Sequence, residues 1–238
     1  MTRREFLKAL AAVGGYLALS RMAFAEVAVT EGEYNINPSF VTRGNGFGNR
    51  IAITFDDGPT PGVTEPILEE LRKHDLRATF FMIGKNVEHA PSLAKQVADA
   101  GHEVANHSYG HPMLTRLPLA QVEYEIQKTQ DAIFKATGKT PIWFRPPYGA
   151  FDKAKHGPIA RDKGLGIVYW SVDPQDWKKP GADAIASRVI NATTPGSIIL
   201  LHDLHLQTAQ AVPRIFETLK EKAFAFSNLT RFLGKPYV

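Results

Sequence analysis

Apolar positions recur along this chain with two different periods. Short continuous apolar runs, rich in β-branched and aromatic residues, fall at 51–55, 78–83, 103–105, 142–144, 166–170 and 198–201. Runs of that length and composition read as strands buried on both faces. Between them, apolar residues recur three and four apart, which marks helices. These fall at 64–74 (Ile67, Leu68, Leu71), 92–100 (Leu93, Val97, Ala98) and 118–136 (Leu119, Val122, Ile126, Ile133). Further helices are expected near 158–163, at 182–192 and at 208–222, the last through Val212, Ile215, Phe216 and Leu219. Thr64 and Ser92 stand where N-caps belong, and Gly101 and Gly138 where helices end. A weak last strand is expected at 224–227.

Strands alternating with helices predict a parallel sheet with helices outside it. About seven such units favour an α/β fold of the distorted, incomplete (β/α) barrel type over an open doubly wound sheet, although periodicity alone allows both. In either architecture the working residues gather at the C-terminal ends of the strands.

That rule gives the polar clusters their meaning. Asp56-Asp57-Gly58-Pro59 follows the first strand, and His107-Ser-Tyr-Gly-His111 the third. Arg145-Pro-Pro-Tyr-Gly149 follows the fourth, Asp173-Pro-Gln-Asp-Trp177 the fifth and His202-Asp203 the sixth. An Asp beside Gly-Pro is by itself an ordinary turn. Five clusters at the same predicted mouth are harder to assign to turns.

His107 and His111 are four apart, a spacing that in a helical turn puts both imidazoles on one side. Two histidines and one carboxylate, with a position left for water, make a catalytic zinc set. Asp56 or Asp57 can supply the carboxylate. Two adjacent carboxylates at a reaction centre repel each other, so ligation would stabilise one and leave the other as a base. His202, with an ordinary pKa near about 6.5, suits a general acid. It would need a nearby carboxylate to stay protonated, and Asp173, Asp176 and Asp203 are the candidates. Arg145 can hold the base carboxylate ionised. Pro146-Pro147-Tyr148-Gly149 can aim a backbone N–H at a developing oxyanion. Tyr148 and Trp177 can wall a sugar-binding mouth, whereas Trp170 reads as core. His74, His89, His102, His156 and His205 read as structural.

Composition changes the picture at a few points. With 238 residues, 44% hydrophobic and 22% charged, the chain is long and apolar enough for one large folded domain. The net charge of +4 comes mostly from Arg3, Arg4, Lys8 and Arg21 against Glu5. The remainder is near neutral and has no basic block that would track nucleic acid. Those N-terminal residues resemble a bacterial twin-arginine signal: Thr2-Arg-Arg-Glu-Phe-Leu-Lys8, a short apolar stretch, then Ala23-Phe-Ala25. The expected organisation is a signal peptide at 1–25, a Gly- and Asn-rich arm at 26–50 and one domain at 51–238. The apolar stretch is too short for a stable membrane anchor. The mature chain is expected to start at Glu26 and to be periplasmic or extracellular, with the twin-arginine export machinery as a transient partner. The chain has no cysteine, so a metal would rest on His, Asp or Glu.

At Thr54-Phe-Asp-Asp-Gly-Pro59, His107-Ser-Tyr-Gly-His111, Arg145-Pro-Pro-Tyr148, Asp173-Pro-Gln-Asp-Trp177 and Leu200-Leu-His202 the sequence resembles the NodB-homology polysaccharide deacetylases, carbohydrate esterase family four. The resemblance runs from about 51 to 228. It implies a distorted (β/α) barrel, a divalent metal (usually Zn2+, with Co2+, Mn2+ or Ni2+ as substitutes) and hydrolysis of N-acetyl groups on an acetylated glycan. It also implies roles: Asp56 as base, Asp57 with His107 and His111 on the metal, and His202 as acid tuned by Asp176 in preference to Asp173. Arg145 would pair with the base, Pro147 and Tyr148 would shape the oxyanion site through the Tyr148 amide, and Trp177 and Leu200 would line the acetyl pocket. An O-acetyl esterase or amidase, and a glycan-binding protein without catalysis, are the alternative readings.

Overall fold

The computed structural model describes residues 40–236. The apolar runs form one parallel sheet. Its strands are β1 (Arg50–Asp56), β2 (Thr79–Met82), β3 (Glu103–Asn106), β4 (Trp143–Phe144), β5 (Gly166–Ile167), β6 (Ile198–His202) and β7 (Ala225–Ser227). The order is β5-β4-β3-β2-β1-β6, with β7 also beside β1. β1 is the centre: β6 pairs along one edge, and β2 and β7 share the other, β7 at Arg50–Ala52 and β2 at Thr54–Asp56. The ends of the sheet curl towards each other, since Val172, beyond β5, bridges Ile199 in β6. The result is an incomplete barrel, so the open doubly wound alternative is set aside.

Side-chain alternation divides each strand between two cores. Ile51, Ile53 and Phe55 of β1 join Ile199 and Leu201 of β6 and Phe80 and Met82 of β2 against the helices. Ala52, Phe81, Ala105, Trp143 and Ile198 fill the barrel interior. Each of these larger side chains contributes about 1.5–3 kcal/mol on burial.

The helices are α1 (Thr64–Lys73), α2 (Gly84–His89), α3 (Pro91–Asp99), α4 (Leu119–Thr137), α5 (Lys153–Asp162), α6 (Ala182–Ala192), α7 (Leu206–Glu221) and α8 (Leu229–Leu233). Two expected caps are corrected. Thr64 is already helical behind Val63, and its hydroxyl is used elsewhere, accepting from Thr60 N and donating to Asp203. Ser92 lies behind Pro91, whose fixed φ suits the first helical position, so Ala90 occupies the cap. Helices α2 and α8 were not expected; six and five residues are too few to show a period. The expected strand at 166–170 is shorter: β5 covers Gly166–Ile167, and Val168 beyond it bridges Val41 of the expected arm.

In the expected arm, Phe40 stacks on Tyr169, Val41 bridges Val168 and Arg43 bridges Ser197. The expected signal peptide and arm residues 26–39 lie outside the described residues.

Candidate active site

The alternation that builds the interior core also delivers the first site residue. Thr54 and Asp56 are two apart on β1 and face inward with Ala52. Arg145, one residue past β4, shares the inward direction of Trp143 and is fully buried. Its Nη1 donates to Asp56 Oδ1 at 2.6 Å and to Thr54 Oγ1 at 2.8 Å, and its Nη2 donates to the Tyr169 carbonyl at 2.8 Å. The guanidinium lies 4.1 Å from the centre of the Phe81 ring. A buried charge survives only when paired and hydrogen-bonded, and this pair meets both conditions. No role was expected for Thr54 beyond its place at the start of the first motif. Its position two residues before Asp56 was the available signal.

Beyond Asp56 the chain turns, and Asp57 adopts the left-handed region with φ of 75°. That turn carries its carboxylate towards the loop after β3. Asp57 Oδ1 lies 3.4 Å from His107 Nε2 and 3.4 Å from His111 Nε2. The ligand atoms of Asp57, His107 and His111 all fall within 4.8 Å of one another.

Three observations fit this group to a cation. Asp57 Oδ1 is buried and has no hydrogen-bond partner, one of two such side-chain atoms among the described residues. His107 Nδ1 lies 2.7 Å from the Arg145 carbonyl, which can only accept. The Nδ1–H is therefore committed there, and Nε2 is the ring nitrogen that faces Asp57 and is left to ligate. Burial, together with the neighbouring His107, pulls the His111 imidazole down to about 4, so it is a neutral nitrogen donor at neutral pH. Burial raises the Asp57 carboxyl, but the surrounding imidazoles of His107, His111 and His202 outweigh it and bring it to about 2. A carboxylate and two imidazoles are the donor set of a hydrolytic zinc site.

Across the mouth, the Cα register of β1 and β6 sets His202 beside Asp56. His202 Nδ1 lies 2.7 Å from Asp176 Oδ1. Asp176 is fully buried and also accepts from the His202 backbone N–H at 2.8 Å and the Thr208 hydroxyl at 2.7 Å. Burial pulls the His202 imidazole down. The Asp176 hydrogen bond and charge, with Asp56 and Asp57 behind them, raise it further, to about 9. Of the three carboxylates weighed for this contact, Asp173 instead accepts from Gln175 N at 2.7 Å. Asp203 faces the other way, accepting from the Thr64 hydroxyl at 2.6 Å. Thr208 gave no sequence signal, because it reads as an ordinary polar position on α7.

The remaining expected residues frame the same mouth. Tyr148 is left-handed at φ of 60°, and its ring stands 4.6 Å from that of His111, edge to face. Pro147 is buried beneath it. Leu200 lies two before His202 on β6 and so shares its inward direction, nearly fully buried. Trp177 follows Asp176 and is 48% exposed, too open for a core residue. Trp170, expected in the core, is half-buried against the interior cluster.

Residues 43–168 match the family described as polysaccharide deacetylase. Peptidoglycan-N-acetylglucosamine deacetylase of Listeria monocytogenes is 40% identical over 186 residues, covering 78% of this chain but only 39% of that protein. Chitooligosaccharide deacetylase of Rhizobium leguminosarum bv. trifolii is 38% identical over 193 residues, covering 75% of this chain and 89% of that protein. Among solved structures, a carbohydrate esterase family four pseudoenzyme from Bacillus anthracis superposes with a TM-score of 0.79 at 34% identity, covering 85% of this chain and 72% of the other. The motifs, the curled parallel sheet and these matches agree: the chain belongs to the polysaccharide deacetylase family.

Proposed function

We propose that this chain is a metal-dependent hydrolase that removes N-acetyl groups from an N-acetylhexosamine-containing glycan, of chitin, peptidoglycan or exopolysaccharide type. One observation carries the reading. The unpartnered Asp57 oxygen between two imidazoles has a base candidate anchored on one side (Asp56 on Arg145) and an acid candidate anchored on the other (His202 on Asp176).

Asp57, His107 and His111 would hold a divalent cation, which would supply Lewis acidity to the acetamide carbonyl and lower the pKa of water bound to it to about 7. Zn2+ suits this donor set, with Co2+, Mn2+ or Ni2+ as substitutes. Asp56, held in place by Arg145, takes the proton of the attacking water. The Tyr148 backbone N–H, set by Pro147 and the left-handed turn, faces the developing oxyanion. His202 enters the reaction protonated and passes its proton to the departing sugar nitrogen, while Asp176 holds the ring and balances its charge. Leu200 and Trp177 flank the acetyl methyl.

The twin-arginine-like residues at 1–25 support export to the periplasm or the exterior, where such glycans are found. Among the described residues no helix is long and apolar enough to cross a membrane. Acetate release from acetylated chitooligosaccharides, peptidoglycan and exopolysaccharide, with and without chelator, tests the activity. Acetate that appears with the metal and stops on chelation supports the reading; release untouched by complete metal removal contradicts it. The likeness to a pseudoenzyme supports a second reading, a glycan-binding protein without catalysis. Glycan binding with no acetate release would establish that one.

A further inference from the structure

The loop that carries His107 and His111 is held in an unusual way. His107 N donates to the Met82 carbonyl and so continues the strand pairing. The next four backbone N–H groups all donate to side chains. Ser108 N reaches Asn106 Oδ1 at 2.9 Å, and His111 N reaches Ser108 Oγ at 3.1 Å. Between them, Tyr109 N at 2.9 Å and Gly110 N at 2.7 Å both donate to one atom, Glu125 Oε2. Ser108 and His111 both sit in the left-handed region, at φ of 65° and 58°. Neither is a glycine, so the conformation costs energy that the surrounding contacts must offset.

Glu125 belongs to α4, a different element, and is 6% exposed. Its side chain is buried on the same helix face as Val122, Ile126 and Thr129. A carboxylate is costly there unless its oxygens are satisfied. Two successive amides converging on one carboxylate oxygen form an anion-binding concavity, here filled by the protein's own side chain.

We propose that Glu125 is a positioning residue for the cation site, fixing the separation of His107 Nε2 and His111 Nε2 by gripping the two amides between them. The proposal rests on the reading that Asp57, His107 and His111 hold a cation. Glu125 touches neither ligand nitrogen and acts only through the loop. The loop's other grips cannot replace it. The Ser108 and Tyr109 carbonyls accept from Gly84 N and Lys85 N, which fixes the opposite side of the loop.

Two variants separate geometry from charge. Glu125→Asp keeps the charge but withdraws the oxygens by one methylene; Glu125→Gln keeps the reach and leaves one oxygen able to accept from both amides. Zn2+ affinity is read by competition with a chromophoric chelator, and fold by near-UV circular dichroism. Supporting residues behind metal ligands typically contribute about 10–100-fold in affinity. Glu125→Asp is therefore expected to weaken Zn2+ binding by about tenfold or more while staying folded, and Glu125→Gln to remain within about threefold of wild type. In the Co2+-loaded protein, the visible ligand-field bands should shift in Glu125→Asp and not in Glu125→Gln. Unchanged affinity in folded Glu125→Asp, or equal weakening in both variants, overturns the role of Glu125 and leaves the cation reading standing. A wild-type chain that takes up no Zn2+ overturns both.

Discussion

Arg145 Nη1 and Asp56 Oδ1 meet at 2.6 Å in the barrel interior, with the arginine fully buried and the aspartate nearly so. The same guanidinium reaches Thr54 and the Tyr169 carbonyl, so its position is fixed from three sides. A carboxylate buried this deeply needs a partner of opposite charge, and Arg145 supplies it. The proposed role of Asp56 as base calls for a carboxylate anchored in this way.

Replacing Arg145 by Met should therefore do two things. Leaving Asp56 buried without its partner should lower unfolding stability by about 3–5 kcal/mol in urea titration. It should also lower kcat, because the Asp56 carboxylate would lose the contact that fixes its position. Adding Asp56→Asn to Arg145→Met should restore part of the lost stability, since no buried charge remains.

The His202–Asp176 pair predicts the alkaline side. The Asp176 contact, against the opposing effect of burial, raises His202 to about 9 from its ordinary 6.5. A histidine raised on folding contributes stability that is fully present below its unfolded pKa and is lost as pH rises through its folded pKa. The stability gap between wild type and Asp176→Asn should thus be widest below about pH 6.5, shrink as pH rises from there, and be lost above about pH 9. In the metal-loaded enzyme, Asp176→Asn should shift the alkaline limb of kcat/KM to lower pH. An unmoved limb would remove His202 from the role of acid.

Trp177 predicts a binding effect with little structural cost. Its ring is half exposed beside the mouth, with Lys178 Nζ 4.8 Å from the ring centre. Trp177→Ala should leave stability within about 0.5 kcal/mol. Losing about 1 kcal/mol of contact with substrate corresponds to roughly a fivefold rise in KM, measurable by acetate release at varied oligosaccharide concentration.

What could be read from the sequence follows from where parallel strands end. Asp56, Asp57, His107, Arg145 and His202 sit at or just past strand ends, so recognising the strands sufficed to gather them. The choice among Asp173, Asp176 and Asp203 was not resolvable from the residues alone, because it depends on a turn. Gln175 adopts the left-handed region at φ of 57°, which aims Asp176 inward and leaves Asp173 bonded to the turn itself. Glu125 was missed for another reason: an acidic residue on a long helix ordinarily reads as solvent-facing. Its spacing was the overlooked signal, since it stands three after Val122 and four before Thr129 on the buried face. Helix α2 left no trace because six residues cannot establish a period. It nonetheless supplies Asn86, whose Nδ2 donates to the Asp57 carbonyl at 2.7 Å.

The division of work between two adjacent carboxylates is the central claim, and parallel assays of Asp56→Asn and Asp57→Ala test it most directly. Zn2+ content after dialysis against a fixed free-metal concentration, and kcat for acetate release, should be measured on both. Asp56→Asn should keep near-stoichiometric metal and lose kcat by about 10²-fold or more. Asp57→Ala should lose metal first, with part of its activity returning in excess Zn2+. If both variants retain metal equally, or both lose it equally, the two residues do not divide the work between binding the metal and moving the proton.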